Sequence, residues 1–80
     1  MPTVLRVGPY RFFFYSREND EPAHVHVSRD QREAKYWTDP LVVLADNYGF
    51  ASHELTEIRK LVESRRDFFL EKWREYFSAN

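Results

Sequence analysis

The sequence predicts an α+β fold: a small antiparallel sheet of four to five strands, built as two hairpins, followed by one long or broken C-terminal helix packed on one face. Three observations predict it. The first half of the 80-residue chain is rich in β-branched and aromatic residues cut by turn signals. From Ser52 onward the apolar period becomes helical, with Leu55, Ile58, Leu61, Val62, Phe69, Trp73, Tyr76 and Phe77 on one stripe. The chain is also too short for a second domain, so residues 1–80 read as one unit.

The elements follow in order. Val4–Val7 and Tyr10–Tyr15 read as strands, and Gly8-Pro9 between them suits a type II′ turn, with glycine at the first central position. That turn pairs Val7 with Tyr10, Leu5 with Phe12 and Thr3 with Phe14. It places Leu5, Val7, Tyr10, Phe12 and Phe14 on one face, and Val4, Arg6, Arg11, Phe13 and Tyr15 on the other. Ser16–Pro22 is a polar loop. His24–Ser28 and Glu33–Thr38 form the second hairpin, in a register that sets Ser28 against Glu33, His26 against Lys35 and His24 against Trp37. Alternation then gathers His24, His26, Ser28, Glu33, Lys35 and Trp37 on one face and sends Val25, Val27, Ala34 and Tyr36 to the core side. Asp39-Pro40 breaks the chain, Leu41–Ala45 reads as a further strand, and Asn47-Tyr48-Gly49 reads as a turn. Ser52 is the expected N-cap. An unbroken helix over Ser52–Phe77 would be about 39 Å long, whereas a compact chain of this size has a radius of gyration of roughly 12 Å. The sequence therefore predicts a break near Ser64–Asp67 or a projecting end that packs on another chain.

Composition narrows the functional classes. The formal net charge is −1, unlike the strongly basic balance of a dedicated nucleic-acid binder, so any basic surface is a local patch. The absence of cysteine excludes disulfides and thiolate metal sites. The N-terminal stretch carries arginines among its apolar residues and reads as neither a signal peptide nor a membrane span, which makes the chain a complete cytoplasmic protein by expectation. Aromatic residues make up 18 % of the chain, a heavy load for so few residues, so an oligomer or a complex with another protein is an open reading.

His24 and His26, two residues apart on a strand, send both imidazoles to the same face. Three chemistries are open to them. As general acid and base they could act on a phosphodiester, with Lys35 stabilising charge on phosphorus and no cofactor required. As ligands they could hold one metal ion, with the third donor drawn from Glu33, Asp46 or His53. As part of a partner surface they would act with Trp37. The bland alternative leaves both on the wet face of a half-buried sheet. Arg6 and Arg11, opposite each other across the first hairpin, read either as a clamp for phosphate or RNA backbone, with Phe13 and Tyr15 as stacking surfaces, or as structural charges bridged to helix carboxylates. His53 reads as solvated, and Arg65-Arg66 as a weak basic cluster. Phe68 falls off the apolar stripe and is a candidate interface residue. With two glycines there is no phosphate-cradling loop.

The strings Met1–Val7, Arg11-Phe12-Phe13-Phe14-Tyr15-Ser16, Glu21-Pro22-Ala23-His24-Val25-His26-Val27, Glu33–Trp37, Gly49-Phe50 and Trp73–Phe77 together resemble the bacterial domain-of-unknown-function family 4160. Glu-Pro-x-His-x-His-Val is the sharpest part of the likeness. The resemblance implies a small stand-alone bacterial protein whose gene lies beside that of another small protein, an arrangement of toxin–antitoxin type. With the histidine pair it gives the leading expectation: a toxin–antitoxin component acting on RNA through His24 and His26, with Lys35, Arg6 and Arg11 on phosphate. Its rival is a non-catalytic module pairing with a small partner protein, and the third reading is the metal site.

Overall fold

The computed structural model describes residues 3–18 and 20–78 of the chain. Five strands, β1 (Thr3–Val7), β2 (Tyr10–Phe13), β3 (His24–Arg29), β4 (Arg32–Trp37) and β5 (Val43–Tyr48), precede two helices, α1 (Ser52–Ser64) and α2 (Arg66–Ser78). The strands form one antiparallel sheet in sequence order, so β1 and β5 are its edges and β3 its centre.

Both predicted hairpins form. Gly8 at φ +56° opens the first turn, and Val7 pairs with Tyr10, Leu5 with Phe12 and Arg6 with Arg11. Beyond Leu5 the register shifts and Thr3 pairs with Phe13, not Phe14. The irregularity turns Val4 toward the core cluster, against its expected place on the Arg6 face. The second hairpin keeps the predicted register through His24 and Trp37, with a two-residue turn at Asp30-Gln31 and Asp30 at φ +56°.

Tyr10, Phe12, Phe14, Val25, Val27, Ala34 and Tyr36 on the sheet close over Ile58, Val62 and Phe69 of the helices and Phe50 of the link. Both helices lie on this one face. Phe68 is half-buried and packs against the same cluster.

Three boundaries differ from expectation. The fifth strand runs Val43–Tyr48, so Asn47 and Tyr48 belong to it, and Leu41 precedes it. The Asn47 side chain still turns the chain: its Oδ1 accepts from the Phe50 amide at 3.0 Å and its Nδ2 donates to the Phe50 carbonyl at 3.1 Å, with Gly49 at φ +101° between them. Ser52 is the first helical residue, and Ala51 is the cap. Ala51 has no side-chain oxygen to offer, so the cap is completed from the other side by Glu54 Oε1, which accepts the Ala51 amide at 3.0 Å. Arg32 Nη1 donates to both oxygens of that carboxylate, at 2.9 and 2.8 Å, which ties the start of α1 to the β3–β4 hairpin.

The helix breaks where the sequence placed the break. Arg65 leaves helical geometry at φ −121°, ψ 20°. Arg66 then donates to the carbonyls of Thr38 and Pro40, at 2.7 and 2.9 Å, and so anchors the start of α2 to the β4–β5 connection. Arg66 is thus a structural donor rather than part of a basic patch. The longest dimension of the molecule is 37 Å, shared with a five-stranded sheet, and the break lets both helices stay over that sheet.

Two outcomes follow for stability. Gly49 has a backbone conformation that L residues rarely adopt, and an added Cβ would lie 2.9 Å from Arg32 Cγ. Gly49→Ala is expected to cost about 1–3 kcal/mol, read as a lowered urea midpoint. The Ala51 amide, helped by Arg32 and Arg29 against the opposing effect of burial, holds the Glu54 carboxyl below its ordinary 4.5. Its contribution is complete above that ordinary value and fades as the pH falls through the lower folded one. The stability gap between the wild type and Glu54→Gln should therefore be widest near neutrality and close in acid, as thermal midpoints taken across pH 7 to 3 would show.

Candidate functional site

On the sheet face opposite Val25 and Val27, β2 and β3 bring Phe13 beside His26, the two rings stacked at 5.5 Å and 24°. Tyr15 meets the His26 ring edge-on at 4.4 Å, and His24 meets His26 edge-on at 5.1 Å. Trp37 lies against His24 at 5.4 Å from β4, and Trp73 of α2 reaches the same ring at 4.8 Å. The side chains that alternation assigned to one face are therefore together. The face is not open, however. His24 is 1 % exposed and His26 5 %, so the expectation of histidines on a wet surface is corrected.

Beside these rings, Glu18 and Glu21 of the segment ahead of β3 cover it. Glu18 Oε1 lies 2.7 Å from Nε2 of His24 and 2.7 Å from Nε2 of His26, so one carboxylate oxygen sits between two imidazoles. Glu21 reaches across to Lys35 Nζ at 2.6 Å, and the ammonium also lies 4.4 Å above the Trp37 ring. From the sheet side, Tyr15 donates its hydroxyl to Glu33, at 2.9 and 3.1 Å to the two oxygens. The cluster thus has an aromatic floor and walls of glutamate.

The proton positions follow from the partners. The Pro22 carbonyl only accepts, so His24 Nδ1, 2.9 Å away, carries a hydrogen. His26 Nδ1 is buried with no hydrogen-bond partner among the described residues, and its nearest carboxylate is Glu33 Oε2 at 3.8 Å. Burial pushes His26 below its ordinary 6.5, an effect that Glu18 offsets only in part. Burial alone would raise Glu18, but its hydrogen bonds to His24 and His26 outweigh that and hold the carboxyl below 4.5. A carboxylate facing a neutral His26 donor is the consistent arrangement.

The second predicted constellation is also in place. Arg6 and Arg11 are paired in register, Arg11 Nε donates to Thr3 Oγ1 at 2.7 Å, and the Arg11 guanidinium lies 4.5 Å over the Phe13 ring. Arg11, Phe13 and His26 so form a layered run along the face. The helix carboxylate Glu54 is met by Arg29 and Arg32 rather than by this pair. Of the three third-ligand candidates, Glu33 borders the cluster. Asp46, opposite Lys35 on β5, and His53, exposed on α1, stand apart from it. Sequence reasoning missed Glu18. The signal was an acidic loop directly before the histidine strand, but no spacing rule says which carboxylate of a loop folds back onto a sheet.

The family model for the domain of unknown function DUF4160 matches residues 10–74, most of the chain. The chain belongs to that family. The matched span of this DUF4160 protein begins after β1 and contains the whole histidine cluster, with the Glu21–Val27 string that carried the resemblance. No curated protein and no solved structure matches it. No helix among the described residues of this DUF4160 chain is long and apolar enough to cross a membrane.

Removing the shared acceptor tests the cluster. Glu18→Ala leaves two buried imidazoles without their Nε2 partner and is expected to destabilise the fold by about 1–3 kcal/mol, read from urea unfolding. An unchanged midpoint would mean that Glu18 does not hold the two rings in solution.

Proposed function

We propose that this protein is a non-catalytic binding module that takes an extended segment of a small partner protein along the outer edge of β5. The observation that carries the reading is the exposure of large apolar side chains there: Leu41 at 70 %, Val43 at 50 %, Leu44 at 40 % and Tyr48 at 67 %. They stand on one edge strand and the turn leading into it, in a chain that otherwise buries its apolar residues well. Beside this edge is a groove of about 250 Å³ lined by Tyr36, Leu44, Leu55, Thr56 and Arg59. An apolar side chain of an added strand fits between Leu44 and Leu55, and a carboxylate next to it would meet Arg59.

The expectation of acid–base chemistry on RNA loses its footing at the histidine pair. Both rings are buried and both Nε2 atoms are engaged by Glu18, so neither is presented to a phosphodiester. An apolar edge also offers little to a nucleic-acid backbone. The genomic neighbour implied by the family resemblance is the natural candidate partner, and the toxin–antitoxin arrangement supplies a context in which such a pair would work.

The test is co-expression with the protein encoded beside it, read by gel filtration with light scattering. A stoichiometric complex is expected, and Leu44→Asp, an exposed change that spares the core, should weaken it at least about tenfold. Retention of full affinity by Leu44→Asp, a self-dimer in place of the complex, or a monomer that ignores the neighbour would each overturn the reading.

A further inference from the structure

The geometry points to a binding site for one divalent transition-metal ion, zinc by preference, formed by Glu18 Oε1, His24 Nε2 and His26 Nε2. This is independent of the β5 edge. The three donor atoms lie within 4.8 Å of one another, and the carboxylate oxygen is 2.7 Å from each nitrogen. Around a tetrahedral ion with bonds of about 2.1 Å, neighbouring ligand atoms stand about 3.4 Å apart. The two imidazoles are fixed by β3 and the rings around them. Glu18 comes from the segment ahead of β3, and seating the ion draws its carboxylate back from both nitrogens.

The surroundings of the two rings suit a bound ion. His24 donates its Nδ1 hydrogen to the Pro22 carbonyl at 2.9 Å. Its Nε2 is aimed at a carboxylate oxygen 2.7 Å away, so either a second ring proton or a cation must lie between the two atoms, and a metal ion can take that place. A ring held by a carbonyl at one nitrogen with its lone pair turned inward is how metal-ligating histidines are typically oriented.

His26 carries the complementary observation. With its hydrogen on Nε2, facing Glu18, its buried Nδ1 has no partner and turns a lone pair toward Glu33 Oε2 at 3.8 Å. An ion on Nε2 moves the hydrogen to Nδ1, where it points at the Glu33 carboxylate that Tyr15 already holds. One ion thus takes the place between His24 Nε2 and Glu18 and turns the His26 Nδ1 hydrogen toward a carboxylate 3.8 Å away. Two glutamates offset the added charge, Glu18 directly and Glu33 next to His26, while Glu21, at 3.8 Å from His24 Nδ1, is already paired with Lys35. A set of two nitrogens and one oxygen suits zinc and excludes calcium or magnesium, which take oxygen donors. Bound there, the ion fastens the Ser16–Pro22 loop to the centre of the sheet.

The experiment uses tag-free full-length protein, stripped with chelator and titrated with Zn²⁺ by calorimetry, in parallel with a histidine-ring NMR spectrum. One equivalent should bind with Kd below about 1 μM, and the thermal midpoint should rise by roughly 10 °C at a hundredfold excess over Kd. The ring signals of His24 and His26 should shift while those of exposed His53 stay in place. Glu18→Gln, which keeps a side-chain oxygen for the loop, should lower affinity at least about tenfold. Ca²⁺ should give no heat. The proposal is overturned by the absence of saturable Zn²⁺ binding, by binding that moves His53 alone, or by binding that Glu18→Gln leaves unchanged. A purely structural hydrogen-bonded cluster would give the first of these results.

Discussion

The central strand His24–Arg29 has to be covered on both faces, because the alternation of His24-Val25-His26-Val27 sends aliphatic side chains one way and imidazoles the other. Val25 and Val27 are covered cheaply by helices, which bury apolar surface with no polar group left over. The imidazoles need a cover that also satisfies ring nitrogens. An apolar layer would strand them, and open water would leave Phe13 and Trp37 exposed beside them. Glu18 and the neighbouring rings meet both needs, since Glu18 reaches the nitrogens while Phe13, Tyr15, Trp37 and Trp73 pack against the imidazoles. Two unlike layers on one thin sheet follow from four consecutive residues.

That constraint also explains the division of the C-terminal half. A sheet of five short strands cannot seat a helix of about 39 Å, and the aromatic core needs cover along its whole width. Splitting the helix at Arg65 places Ile58 and Val62 over one part of the core and Phe69 over another. Arg66 fixes the angle between the halves by binding the carbonyls after β4, and Glu54 fixes the other end through Arg32. Polar contacts of α1 and α2 with the sheet thus sit at the ends of the helices, where backbone groups are otherwise unsatisfied. β5 is left with fewer neighbours than any inner strand, and its apolar side chains face outward.

The histidine cluster and the β5 edge are therefore two separate features with opposite characters. One is closed, charged and internally satisfied except at a single nitrogen. The other is open, apolar and unsatisfied along its length. On the reading proposed above, the open edge serves association and the closed cluster holds the fold. A metal ion at Glu18, His24 and His26 would reinforce that arrangement, since it would stiffen the loop without opening the face.

What could be read from residues alone was whatever depends on local period. Strand alternation put His24, His26, Lys35 and Trp37 on one face and Val25, Val27 and Tyr36 on the other, and the Gly8-Pro9 turn set the first register as far as Leu5. The helical stripe and the length argument located the break near Arg65. Features that depend on a loop's path through space were not readable: the shift at Thr3, the cap supplied by Glu54, the extension of β5 through Tyr48, and above all the return of Glu18 onto the histidines. Period follows from the backbone geometry of a single element, so a few neighbouring residues reveal it. Closure of a loop over a sheet is decided by contacts between residues of different elements, and only the folded chain brings Glu18, His24 and His26 to one point.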